Sequence, residues 1–143
     1  MILIFLNVGV YALDTQSTLN IYHEIFSSLL GSQKMKVYTR DKELRQVFKH
    51  SKKIVLSDTL ANSTIILVSS QSDLRRYKKE HIEKLNHIIM FATDYRLLKK
   101  YDNIVGAFYW KKGRSQLLFI KHRLDKYHIK LAPKYRAFIV DEL

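Results

Sequence analysis

The stretch Ile65-Ile66-Leu67-Val68, four apolar residues bounded by Ser63-Thr64 and Ser69-Ser70, constrains the fold more than any other part of the chain. A strand with one solvated face alternates apolar and polar residues. A run without alternation belongs to a strand covered on both faces, and such strands are found in parallel sheets sandwiched between helices. The surroundings repeat the theme. Residues 35–39, 54–57 and 87–92 are short strand-like segments, and helical periodicities lie among them. Leu19, Ile21, Tyr22, Ile25, Phe26, Leu29 and Leu30 recur at three- and four-residue spacing over residues 17–30, with Gly31 where a helix stop belongs. Asp41 is placed to cap a short helix through Lys49 that turns Leu44, Val47 and Phe48 inward. A polar helix is expected over residues 72–85, with Asp73 in its first turn, and another over residues 94–101. Strands alternating with helices imply a mostly parallel sheet, with residues 64–69 as its expected centre.

Beyond residue 103 the pattern changes. Residues 104–111 and 115–120 flank Lys112-Gly113, the signature of a β-hairpin in which glycine supplies the positive φ. Residues 121–127 read as a helix, residues 129–131 as extended chain before Pro133, and residues 134–140 as a last helix that docks through Tyr135, Phe138 and Ile139. The expected fold is α/β: a mostly parallel sheet of about five strands flanked by helices, closed by a C-terminal hairpin and a terminal helix. The 143 residues suit one domain, and a chain of this size buries roughly two-thirds of its surface.

Charge is the second constraint. Lys and Arg number 25 against 13 Asp and Glu, a formal +12, which points to an anionic partner: nucleic acid, lipid headgroup or an acidic protein face. Residues 1–33 hold no Lys or Arg, so the basic character belongs to the rest of the chain. Residues 111–136 carry nine basic residues and one acidic residue, Asp125, just downstream of Tyr109 and Trp110. Aromatics beside positive charge suit stacking and phosphate contacts. No nucleic-acid-binding motif accompanies them, and alternation in the hairpin should turn many of the aromatics into the core, which favours a solvated basic face.

Residues 1–12 form an apolar run too short to span a bilayer, which needs about 20 apolar residues. Val10 and Ala12 stand as small residues at positions −3 and −1 of a leader cleavage site, leaving Leu13 first. The missing initial Lys or Arg argues the other way, toward a first buried strand, which Asn7 and Gly9 would interrupt. The leader is the favoured reading, with residues 13–143 as the single mature domain.

Catalytic motifs are missing. Glycines at positions 9, 31, 106 and 113 compose no phosphate-cradling loop, the six histidines include no i,i+4 pair, and no serine sits in a nucleophile elbow. The absence of cysteine excludes disulfides and thiolate chemistry. Asp41, Asp58 and Asp94 each follow a strand, as acidic residues do in phosphoacceptor domains, yet residues 64–69 end in Ser-Ser-Gln with no aspartate to phosphorylate; helix capping accounts for all three. No cofactor, metal or catalytic residue is expected.

The segment Val105-Gly-Ala-Phe-Tyr-Trp-Lys-Lys-Gly-Arg-Ser-Gln-Leu-Leu-Phe, followed by Lys130-Leu-Ala-Pro-Lys-Tyr, resembles the C-terminal part of YfiR-like periplasmic regulators, with a Gly-x-Phe strand, a Gly-Arg hairpin turn and closing helices. Lys36-Val-Tyr-Thr-Arg-Asp, Thr64-Ile-Ile-Leu-Val-Ser and Ile89-Met-Phe-Ala-Thr-Asp fall where that family has strands, so the resemblance runs over residues 18–140. Ile120 stands where the family often has Asn, and the disulfides of some members are absent. The resemblance implies a non-enzymatic periplasmic protein that binds the extracytoplasmic part of a membrane signalling enzyme, typically a diguanylate cyclase. Within the matched motif, Gly106 and Gly113 are expected to serve backbone geometry and Phe108 the core. Trp110, Arg114, Lys112 and Tyr109 are the candidate partner-binding residues, with Arg114 alternatively pinning the hairpin to a neighbouring carboxylate. A cytoplasmic nucleic-acid-binding protein and a periplasmic small-ligand binder are the competing expectations, and self-association into a homodimer stays open.

Overall fold

The computed structural model describes residues 14–85 and 87–143. The leader expected over residues 1–12 lies outside them. Helix α1 (Thr15–Leu30) starts where the Asp14 carboxylate accepts the Ser17 N–H at 2.7 Å and stops at Gly31, whose φ of 61° suits glycine. There follow β1 (Met35–Tyr38), α2 (Lys42–Phe48), β2 (Ile54–Leu56), β3 (Ile65–Val68), α3 (Gln71–Lys79), β4 (Ile89–Ala92), α4 (Tyr95–Leu98), β5 (Ile104–Lys111), β6 (Arg114–Ile120), α5 (Lys121–Lys126) and β7 (Ile139–Val140). Asp41, Ser70 and Asp94 cap α2, α3 and α4 by accepting backbone N–H groups of the first turn. Asp58, expected to cap as well, lies exposed in the connection from β2 to β3 and caps no helix.

The fold is α/β, with a single mostly parallel sheet in the order β2-β1-β3-β4-β5-β6-β7. Among the described residues only the β5–β6 hairpin is antiparallel. The described residues form seven strands rather than about five, because the hairpin continues the main sheet and Ile139–Val140 adds a further short strand. The middle place belongs to β4 instead of β3, although both are buried along their whole length. The sheet turns back between β1 and β3: the chain steps outward to β2, then crosses to the far side of β1, with Leu60 of the connection buried against the α3 side.

Two segments depart from their expected form. The helix expected over residues 72–85 ends at Lys79. His81 adopts a left-handed φ of 57°, and a 3₁₀ turn over Ile82–Lys84 follows. The break brings Ile82 into the core while Lys78, Lys79 and Glu80 stay outside. The terminal helix expected over residues 134–140 is a 3₁₀ segment, Pro133–Phe138, and then β7. Tyr135 buries its ring edge-on to Phe119 at 5.9 Å, and Ile139 and Val140 pair with Phe119 and Ile120, so strand pairing outweighs local helical preference.

Strand alternation divides the core into two layers. Ile65 and Leu67 face α1 and α2, where Tyr22 packs edge-on to Phe48 at 5.3 Å and to Phe108 at 5.7 Å. Ile66 and Val68 face α3 and α4 with Leu74, Tyr77, Leu97 and Leu98. Burial pushes the Tyr22 and Tyr77 hydroxyls far above the ordinary phenol range. On the second side α3 packs on β3, and α4 on β4 and β5. β7 pairs with β6 only through Phe119 and Ile120, so residues 114–118 have β5 as their one strand neighbour among the described residues.

Candidate partner-binding hairpin

The hairpin is built from its turn outward. Lys112 (φ 53°) and Gly113 (φ 78°) both lie in the left-handed region, as a two-residue turn of the mirror-image kind requires to match strand twist. Glycine was legible as the turn residue; the strained position of Lys112 was not, because lysine has no special preference for it. The register sets Phe108 opposite Leu117, Tyr109 opposite Gln116, Trp110 opposite Ser115 and Lys111 opposite Arg114.

Alternation then separates the candidate residues. Phe108 is buried in the α1–α2 layer, as expected. Tyr109 faces the other side, half-buried, with its ring 5.4 Å from that of Tyr95, and burial, then Tyr95, raises its hydroxyl above the ordinary phenol value. Trp110 is 41% exposed beside the small Ser115. Lys111, Lys112 and Arg114 are exposed around it. Trp110, Lys112 and Arg114 therefore gather at one tip, while Tyr109 belongs to the sheet face below. No carboxylate lies within ion-pair distance of Arg114 among the described residues, so the alternative role of pinning the hairpin is not realised. Lys111 and Arg114, like charges directly opposite on the last rung, repel by about 0.2–1 kcal/mol.

Gly106 serves space rather than unusual dihedrals. A Cβ there would run into the carbonyl oxygen of Leu118 and come within 2.8 Å of the Phe119 ring and 3.2 Å of the Phe91 ring. Only glycine lets β5 pass under these groups.

Tyr109 leads into a groove of about 860 Å³ along the second face of the hairpin, where Tyr95, Trp110, Leu118 and Val140 line it with Arg96 and Lys111. Its polar end holds Ser69 and Thr93 from the carboxyl ends of β3 and β4, with the Thr93 hydroxyl donating to Ser69 Oγ at 3.0 Å. Ligands of open α/β sheets bind outside these strand ends. Asp94 accepts from Arg96 Nη2 at 2.8 Å and Nε at 3.2 Å, and these bonds hold its carboxyl below the usual range. The groove went unread in the sequence; the signal was the polar Thr-Asp-Tyr-Arg immediately after a fully apolar strand.

Two buried charges were also missed. Asp73 of α3 is buried, where its carboxylate pairs at 3.3 Å with the exposed Arg40 just beyond β1 and accepts the Ser69 N–H at 3.0 Å. Arg123 of α5 is buried among backbone carbonyls. Among the described residues, no group of three or more His, Cys, Asp or Glu is arranged to hold a metal, and no helix is long and apolar enough to cross a membrane.

No protein-family model matches this chain, and no curated protein does. A solved structure does: the conserved domain protein from Vibrio cholerae O1 biovar El Tor str. N16961 is similar in fold, with a TM-score of 0.61 over 85% of this chain at 10% identity. The chain spans 59% of the length of that protein, and at this identity the likeness is one of fold alone.

Proposed function

We propose that this chain is a non-enzymatic periplasmic regulatory or sensor domain that binds the extracytoplasmic part of a membrane signalling enzyme such as a diguanylate cyclase, with residues 1–12 as a leader cleaved near Ala12. The observation that carries this reading is the hairpin tip, where a two-residue turn holds the chain's one tryptophan and three cations clear of the core. Trp and Arg are the residues on which protein interfaces most depend. Trp110, 41% exposed at the end of β5, offers its free face to a contact outside the chain. The resemblance to YfiR-like regulators supplies the kind of partner.

A photoreactive amino acid at position 110, activated in intact cells, tests the proposal. The expected adduct is with the extracytoplasmic part of a membrane signalling protein, and it is absent when the same probe stands at exposed position 79 on α3. Adducts confined to nucleic acid or cytoplasmic proteins would overturn it.

The groove favours a second reading, in which the domain takes a small ligand. Its mixture of aromatic floor and a few polar groups is typical of such sites. A ligand panel read by thermal shift, repeated on Tyr109→Ala, tests it: stabilisation that the variant loses supports the groove, and stabilisation that the variant keeps places the ligand elsewhere.

A further inference from the structure

We infer that the tip Trp110-Lys111-Lys112-Gly113-Arg114 is an anchor for the headgroup layer of an anionic phospholipid membrane. The inference goes beyond capture of a protein partner, and it stands on the tip alone.

Three features of the tip meet in this assignment. Trp110 is 41% exposed, and an indole combines an apolar ring with one N–H donor, the combination that places tryptophan at membrane–water interfaces. Lys111, Lys112 and Arg114 put three cations on four consecutive residues, and none has an ion-pair partner among the described residues. Their long stems can lie along an apolar layer while the charged heads meet phosphate. The register sets Lys111 and Arg114 face to face, a repulsion that an anion between them turns into attraction. The left-handed turn at Lys112-Gly113 pre-forms the tip, so little chain freedom is lost on docking.

The geometry also distinguishes lipid from the other anionic partners. Single-stranded nucleic acid is bound along a basic groove with successive aromatic platforms. Here the neighbouring aromatic, Tyr109, is already engaged by Tyr95, and Trp110 stacks on no other ring among the described residues, so the tip offers one aromatic platform rather than a series. A single half-exposed ring with three cations beside it fits a fluid layer of phosphates better than a track.

Trp110 is the chain's only tryptophan, so its emission reports the tip directly. The full chain is titrated with vesicles of phosphatidylcholine alone and of phosphatidylcholine mixed with phosphatidylglycerol, followed by emission and co-sedimentation. A blue shift and sedimentation are expected with the mixed vesicles only, fading with added salt. Lys112→Asn, which tolerates the left-handed turn, should weaken sedimentation about fivefold, the effect of one basic residue at an anionic surface, whereas Lys79→Gln on α3 should leave it within twofold. Trp110→Ala, verified as folded by circular dichroism, should sediment less. The inference is overturned by an unchanged emission maximum on mixed vesicles, by equal losses in Lys112→Asn and Lys79→Gln, or by a blue shift with oligothymidylate or polyglutamate that lipid fails to produce. Because no protein partner is present, failure here leaves the cross-linking result at position 110 to be judged separately.

Discussion

The Nη1 atom of Arg123 lies 2.9 Å from the carbonyl oxygen of Ile104, the first residue of β5. The same nitrogen reaches Leu98 O at 2.9 Å and Tyr101 O at 3.2 Å, and Nη2 lies 3.5 Å from the Asp102 carboxylate. One guanidinium from α5 thus satisfies carbonyls that the end of α4 and the following turn leave open. Burial lowers its pKa and Asp102 opposes the shift, while Nε finds no partner. Arg123→Met should destabilise the domain by about 2–4 kcal/mol in urea unfolding, since buried carbonyls lose their donors. Arg123→Lys should recover part of that loss.

Gly106→Ala places a methyl group against the Leu118 carbonyl, and backbone yields less readily than a side chain. The expected loss is about 1–3 kcal/mol, the usual range for overpacking. Thermal denaturation monitored by circular dichroism measures it, and a variant as stable as the parent would show that β5 and β6 can separate freely at this rung.

Lys111→Glu converts the repulsive rung with Arg114 into an attractive one. The hairpin should gain about 0.2–1 kcal/mol while cross-linking through position 110 declines. Stability and binding moving in opposite directions would mark the rung as maintained for contact. Joint improvement would remove the tip from the proposed interface.

Acid should loosen the anchorage of α1. Ser51 Oγ accepts N–H groups from Lys53 and Ile54, both at 2.9 Å, so its own hydrogen is the one left to donate to His23 Nε2 at 2.8 Å. Burial, then the Lys53 charge, holds the His23 pKa below its ordinary 6.5. A depressed pKa means that the unfolded chain binds the proton first, so this contribution is complete above pH 6.5 and is lost as pH falls through the folded value. Glu24 follows at lower pH, its carboxyl held below the usual range chiefly by the Lys134 hydrogen bond at 2.6 Å, although exposure keeps that contribution small. Unfolding between pH 7.5 and 5 should show a decline that His23→Asn reduces, with the His23 shift followed by NMR.

The intact mass of the native protein, taken after separating periplasm from cytoplasm, is expected to match a chain beginning at Leu13 in the periplasmic fraction. A full-length cytoplasmic species would overturn the proposed location and the partner class with it.

Much of this architecture was written in short-range patterns. Leu19 through Leu30 declared α1 by their spacing, and Ile65-Ile66-Leu67-Val68 declared a strand covered on both sides, because burial acts on every residue of such segments. The hairpin was equally plain from Lys112-Gly113. What stayed hidden depends on partners distant in sequence. Ile139 and Val140 form a strand only because Phe119 and Ile120 offer an edge, and α3 stops at Lys79 because Ile82 must reach the core. The tip residues were legible as candidates, but that Tyr109 is half-buried against Tyr95 while Trp110 stays largely exposed depends on where α4 packs. The groove walls, Tyr95 and Val140, lie 45 residues apart and no local pattern joins them.

The short pairing of β7 has a consequence for handling this protein. Among the described residues, two are all that end the sheet at Phe119 and Ile120, both fully buried, and a bare strand edge is a template on which another chain can extend. Trimming the chain after Phe138, or fusing a bulky tag there, would take away that stopper and leave a long sticky margin. Arg114 guards only the upper end of it. Among the described residues a dipeptide is what covers that margin, and preparations that disturb Ile139 and Val140 should aggregate before they unfold.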